Sequence, residues 1–165
     1  MTFDDFALNV HFTVSAWIRP DSFTANQTIF SKIDSSYAVV FKAYIDISGN
    51  IAVELARPDR TSTEVKTTSL SAITTSWQFV VYGISLQSTA TSAEVNFKVD
   101  GDTADDTITF STGYYYLDDN TPYKAHVGAI QSGSSSFSEP FAGFMYALYI
   151  DNTYLSGAAS SWYPS

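Results

Sequence analysis

The sequence predicts an all-β domain, a sandwich or barrel of short antiparallel strands, and three observations carry that prediction. The stretch Phe12–Pro20, F-T-V-S-A-W-I-R-P, alternates with a period of two. Phe12, Val14, Ala16 and Ile18 form one apolar row, and Thr13, Ser15 and Arg19 sit between them, the pattern of a strand buried on one face. Polar turn signals then interrupt the chain at short intervals throughout its length. Aromatic residues make up 16% of the chain, with twelve Phe and eleven Tyr, which favours strands. Ser and Thr are abundant and Glu is scarce, neither of which suits a helical protein.

The elements follow in order. Phe12–Pro20 is the first strong strand; Trp17 stands on its polar row, so that face is also expected to be covered, and Pro20 ends it. Thr28–Ile33 is a short strand. Residues 37–47 read as a long one whose run A-V-V-F is apolar on both faces, as in the centre of a sheet. Ser48-Gly49-Asn50 turns the chain into Ile51–Ala56, since Gly and Asn supply the positive φ of a tight hairpin. Arg57-Pro58-Asp59 breaks the next connection, and residues 64–69 read as a polar edge strand. Residues 77–86 form the strongest strand after the first. In residues 92–100, Val95, Phe97 and Val99 alternate with Glu94, Asn96 and Lys98, with residues 87–91 as the hairpin loop. Asp100-Gly101-Asp102 turns into residues 107–110. Residues 124–130 read as one strand, 131–138 as a flexible Gly/Ser loop, and 141–150 as the last long strand. Residues 155–160 could form one helical turn. At 165 residues the whole chain, 1–165, reads as a single domain, large enough to bury roughly 70% of its unfolded surface.

Four landmarks in order resemble the laminin-G-like, concanavalin A-like jelly-roll domains of the lectin and glucanase families. They are F-T-V-S-A-W-I-R-P followed by Q-T-I-F-S-K at 27–32; Trp77-Gln78-Phe79-Val80-Val81; Val95–Gly101, V-N-F-K-V-D-G; and His126-Val127-Gly128-Ala129 with Phe141-Ala142-Gly143-Phe144-Met145. The resemblance implies a two-sheet antiparallel β-sandwich on a jelly-roll path. It also implies an extracellular recognition or adhesion role, towards glycans, proteins or lipids, and in many members a calcium ion at the rim. One departure stands out. Where the family often carries an acidic pair after its closing Phe-x-Gly motif, this chain has Tyr146 and Ala147, which cannot offer side-chain carboxylates.

Three segments are candidates for chemistry, and each has a plainer reading beside it. The Asp100–Asp106 stretch, D-G-D-T-A-D-D, is the densest carboxylate cluster; calcium takes six to eight oxygens, so Asp100 and Asp102 are candidate ligands. Its plainer reading is a hairpin turn with solvated charges. Asp4 and Asp5 are further candidate calcium ligands, or simply a solvated terminus. In Tyr114-Tyr115-Tyr116-Leu117-Asp118-Asp119-Asn120, aromatic faces could stack on sugar rings while Asp118, Asp119 and Asn120 hydrogen-bond hydroxyls. Alternate tyrosines of a strand face opposite ways, so the plainer reading is amphipathic packing. Asn26-Gln27-Thr28 is a glycosylation sequon, making Asn26 a candidate acceptor.

Other classes are argued against by what the chain contains. The net charge of −9 with eight Lys and Arg does not suit nucleic acid, which needs clustered cations to neutralise phosphate. With no Cys, disulfides, thiol nucleophiles and Cys zinc sites are out. No run approaches the ~20 apolar residues of a membrane-spanning helix, so no membrane insertion is expected. The opening M-T-F-D-D-F does not read as a signal peptide, leaving a cytosolic chain, a mature form or a piece of something longer. A glycosidase needs two carboxyls across the scissile bond, and the Glu-x-Asp-x-x-Glu strand of the related glucanases is missing. Glu54, Glu64, Glu94 and Glu139 are scattered; Glu94 and Asp100 share a row but lie about 20 Å apart along it. His11 and His126 have no G-x-S-x-G partner motif.

The expectation is therefore a non-catalytic, extracellular or cell-surface module of a longer protein that binds carbohydrate or a surface glycoprotein, with calcium as the candidate cofactor. The alternative is a structural spacer or assembly unit of a cell-surface or filament protein, self-associating through its edge strands. A recognition module should show an exposed aromatic beside polar groups without partners. A spacer should show a smooth polar rim and a large apolar contact patch.

Overall fold

The computed structural model describes residues 1–3, 11–56, 62–68, 70, 72–86, 92–109 and 124–151. Within them lie thirteen strands: β1 (Thr2–Phe3), β2 (His11–Pro20), β3 (Gln27–Ile33), β4 (Val39–Ile45), β5 (Ile51–Ala56), β6 (Thr63–Thr67), β7 (Gln78–Leu86), β8 (Ser92–Val99), β9 (Asp102–Thr109), β10 (Lys124–Val127), β11 (Ile130–Gln131), β12 (Phe137–Ser138) and β13 (Gly143–Asp151). They build a six-stranded sheet in the order β1-β10-β3-β4-β5-β6, a five-stranded sheet in the order β13-β2-β7-β8-β9, and the small ribbon β11-β12. The pairings are antiparallel throughout.

The alternation read in the sequence is what packs the sandwich. Phe12, Val14, Ala16 and Ile18 of β2 and Val95, Phe97 and Val99 of β8 are all buried, and they join Ile29, Phe30, Phe41, Val53, Leu55 and Ile84 in one core. Aromatic rings interlock there in edge-on pairs: Phe12 with Phe41 at 4.9 Å and Tyr82 with Phe97 at 6.0 Å between centroids. Among the described residues Tyr82 is the largest fully buried side chain. Its hydroxyl crosses between the sheets and donates to the Tyr44 carbonyl at 2.9 Å, which satisfies a group that would otherwise be costly to bury. Desolvation lifts the Tyr82 phenol well above its ordinary pKa.

Several element bounds differ from expectation, each for a local reason. β4 begins at Val39 because Asp34 folds the preceding residues into a turn, its Oδ1 accepting from Ser36 and Ala38 N–H while Tyr37 adopts φ +64°. It ends at Ile45, where Asp46 accepts from the backbone N–H of Ser48 and Asn50 and leaves Ile47 exposed. The edge strand β6 runs 63–67 rather than 64–69. β9 starts at Asp102, directly after the turn, so the strand expected at 107–110 is the end of a longer one. Residues 124–130 are not one strand. The chain breaks at Gly128, whose N–H donates to Ile29 O and whose carbonyl accepts from Phe141 N–H. Residues 131–138 are not a bare loop but carry the ribbon, since Ile130 and Gln131 pair with Ser138 and Phe137. The breaker at 57–59, the loop at 87–91 and the turn at 155–160 fall outside the described residues.

Candidate functional site

On β2 the outward row is Arg19, Trp17, Ser15 and Thr13, and strand register decides what stands beside each. Residues directly opposite in an antiparallel pair lie on the same face. Trp17 is flanked by Tyr146 of β13 and Phe79 of β7; Ser15 is flanked by Tyr149 and Val81; Arg19 is flanked by Phe144. Trp77, just before β7, reaches the other side of Arg19. The outer face of the five-stranded sheet therefore carries rungs of aromatic residues at its β13 edge. They are open to solvent: Tyr146 is 70% exposed, Phe144 53%, Tyr149 49% and Trp77 43%.

Two backbone features assemble this ledge. Gly143 starts β13 at φ +148°, and a Cβ built there would stand 2.2 Å from the Arg19 carbonyl oxygen. Only a glycine lets the chain approach so closely, and the approach sets Phe144 against Arg19. Further on, Tyr146 and Tyr149 pair with Trp17 and Ser15, so that two residues of β13, Ala147 and Leu148, stand against one of β2, Ala16. This bulge, with Ala147 at φ +52°, inserts one extra residue. In a regular strand, residues three apart face opposite ways; the bulge returns Tyr149 to the row of Phe144 and Tyr146.

Arg19 is the centre of the arrangement. Its guanidinium carbon lies 4.4 Å from the Phe144 ring centroid and 5.7 Å from that of Trp77, both within cation–π range. Among the described residues its guanidinium has no carboxylate partner; the Lys42 ion pairs lie on the other sheet. Beside it, Trp17 packs on Phe79 at 5.4 Å. Deeper along the same face Thr13, Ser15, Asn96 and Lys98 are buried, so the covering expected over Trp17's row is found inward of the ledge.

The outer face of the other sheet holds a polar clamp. Lys42 of β4 meets Glu54 of β5 at 2.7 Å and Glu139 at 3.0 Å, and its ammonium sits 4.1 Å from the Tyr44 ring centroid. Glu139, at φ +48°, belongs to the segment after β12, so the clamp ties that segment to the sheet. The Tyr44 phenol is pushed up to about 12, first by burial and then by Glu54, Glu139 and Asp46. The two carboxylates share one lysine's positive charge, whereas a glycosidase needs one carboxyl protonated beside the substrate. Glu54 also accepts from the Thr63 hydroxyl at 2.6 Å.

The residues singled out in the sequence are distributed as follows. Asp100 and Asp102 flank the β8–β9 turn, both exposed. Asp100, at φ +51°, accepts from Phe79 N–H at 2.8 Å and from the Gln78 amide at 3.2 Å, so it fastens the turn to the start of β7. Among the described residues no group of three or more carboxylate, His or Cys side chains gathers. Asp4, Asp5, Tyr114, Tyr115, Tyr116, Asp118, Asp119 and Asn120 lie outside the described residues. Asn26 is half-buried just before β3, whose Thr28 is fully buried. Arg19, Phe144 and Tyr149 were not singled out by the sequence. The signal was there in the alternation of Phe144 and Tyr146 against Met145, with only the bulge hidden.

A family model described as the concanavalin A-like lectin/glucanases superfamily matches residues 1–159. Among solved structures, the Ruminococcus gnavus IT-sialidase CBM40 bound to alpha2,3 sialyllactose is similar at 15% identity and TM-score 0.70, over 92% of this chain and 80% of that one. NanB sialidase from Streptococcus pneumoniae gives 18% and 0.73 over 99% of this chain and 26% of that one. A heptameric SAP-like pentraxin from Limulus polyphemus gives 17% and 0.64 over 93% and 69%. These likenesses establish the fold. No curated protein matches the chain.

Proposed function

As this chain belongs to the concanavalin A-like lectin/glucanases superfamily, we propose that it is a non-catalytic recognition module that binds carbohydrate, free or on a glycoprotein, outside the cell or at its surface. The observation that carries the reading is the ledge around Arg19. A sugar ring offers an apolar C–H face, which stacks on aromatic rings, and polar substituents that need fixed donors. Trp17, Trp77, Phe144, Tyr146 and Tyr149 supply the faces and Arg19 supplies donors. Among the described residues no helix is long and apolar enough to cross a membrane. The likeness to a module solved with sialyllactose supports the ligand class.

The test is a glycan screen of the chain and its Tyr146→Ala variant, with and without calcium. Retention of a defined glycan set that the variant loses supports the reading; retention unchanged in the variant removes the ledge from it. Tyr114, Tyr115, Tyr116, Asp118, Asp119 and Asn120 stay a second proposed contact set, probed by Tyr→Ala changes in the same screen. Calcium through Asp4, Asp5, Asp100 and Asp102, and glycosylation of Asn26, remain proposals of the same standing.

The second reading is an assembly unit without a small ligand. It is favoured by β13 being the edge of its sheet, because edge strands invite pairing with another copy. The bulge at Ala147 works against it, since bulges blunt such edges.

A further inference from the structure

We infer that Arg19 sets the specificity of the ledge and that the preferred ligand is an acidic sugar, one bearing a carboxylate or sulfate next to a ring face. The inference rests on the carbohydrate reading above and narrows it.

Among the described residues Arg19 has no carboxylate partner, in a chain of net charge −9. Surface arginines in so acidic a protein have every opportunity to pair with Asp or Glu. Here the guanidinium lies between Phe144 and Trp77 instead. Both ring centroids lie within cation–π range of it. A guanidinium is planar, and its N–H groups form the fork that fits a carboxylate or sulfate with two parallel hydrogen bonds. A lysine ammonium at this point would offer a point charge without the fork or the stacking.

The neighbouring rung supplies the rest of the ligand's contact. Trp17 and Tyr146 stand two residues along β2 and β13 from Arg19 and Phe144, about 7 Å away. That is the span from a sugar's acidic substituent to the far side of its ring. An anion held at Arg19 places the attached ring over Trp17 and Tyr146. The chain's overall negative field opposes anions at long range, but it is screened beyond about 8 Å at physiological salt. A local cation with a desolvated setting then decides which sugars stay.

The test is titration calorimetry with three probes that share one core: lactose, 3′-sialyllactose (carboxylate) and 3′-sulfolactose (sulfate). At least one acidic lactose should bind ten or more times tighter than lactose, and comparison of the two tells which anion is read. Arg19→Gln should erase that margin, bringing the acidic probes down to the affinity the same variant shows for lactose, and Arg19→Lys should keep only part of it. Thermal melts check that the variants fold. Should Arg19→Gln fail to fold, raising salt on the unaltered chain from about 0.05 to about 0.5 M should weaken the acidic probe and spare lactose. Equal binding of all three probes, unaffected by Arg19→Gln, overturns the inference and leaves the carbohydrate reading standing. Failure of both acidic probes to bind overturns it whatever lactose does. An Arg19-dependent dimer in sedimentation, with no sugar bound, overturns both.

Discussion

Gly143→Ala is the perturbation that bears most directly on how the ledge is built. The new Cβ would lie 2.2 Å from the Arg19 oxygen and 2.8 Å from Pro20 Cα, against about 3.5 Å for an ordinary contact. Both obstacles are backbone, so no side chain can swing away, and β13 must retreat from β2 by an ångström or more. Holding a non-glycine residue at φ +148° adds about 1–3 kcal/mol, and forced overpacking costs about 1–3 kcal/mol. The sum, about 2–6 kcal/mol, corresponds to roughly 12 °C in Tm at its midpoint, taking about 3 °C per kcal/mol for a domain of this size. Gly133→Ala is the control: its nearest neighbour would be Ser136 Cβ at 3.6 Å, so its melt should stay within about 2 °C of the parent. The assay is thermal unfolding followed by tryptophan fluorescence, which also reports the surroundings of Trp17 and Trp77. A Gly143→Ala melt indistinguishable from the Gly133→Ala control would refute the close approach of β13 to β2, and with it the placing of Phe144 against Arg19.

Other perturbations test the scaffold and the remaining charges. Phe97→Ala, at a fully buried position, should cost about 3–5 kcal/mol in a denaturant melt; a cost under ~1 kcal/mol would contradict its place in the core. Lys42→Met leaves Glu54 and Glu139 facing each other without their shared cation. It should destabilise by about 3–5 kcal/mol in a denaturant melt, and a cost under ~1 kcal/mol would contradict the clamp. The raised phenols of Tyr44, about 12, and Tyr82 bias folding at high pH. Both are neutral in either state below about pH 10, so that stability is fully present there. Above it the unfolded chain ionises first, and stability falls as pH rises through about 12; spectroscopic titration should find two tyrosines that ionise late or only on unfolding. Asp100→Ala should cost about 1–2 kcal/mol through the lost contacts to Phe79 and Gln78, equally in calcium and in chelator. A loss seen only in calcium would make Asp100 an ion ligand rather than a turn fastener.

The fold was legible because its signals are local. The period of two in Phe12–Ile18 and Val95–Val99 names the core rows directly, and Gly49, sharing a turn with Asp46 and Asn50, fixes the β4–β5 hairpin. The break at Gly128 was not legible. It depends on backbone bonds to Ile29 and Phe141, and Ile29 lies about a hundred residues earlier in the chain, beyond any local window of sequence. The ledge was half legible. Arg19 and Trp17 alternate in plain view on β2, but their neighbours Phe144, Tyr146 and Trp77 come from distant segments, and only strand register brings them together. Tyr149 was hidden for a further reason, since the bulge at Ala147 reverses the side to which simple alternation assigns it. At Asp100 carboxylate density suggested an ion, and the structure adds a role the sequence did not show, a carboxylate that accepts from the Phe79 N–H.

The most direct measurement of the central claim is a two-dimensional NMR titration of the ¹⁵N-labelled chain with the tightest glycan found in the screen. The account predicts that the indole signals of Trp17 and Trp77, the Arg19 guanidinium signal and the amides of Phe144 and Tyr146 shift together and saturably, with the rest of both sheets still. Saturable shifts confined to residues away from this edge, at 114–120 or on the Lys42 face, would contradict it.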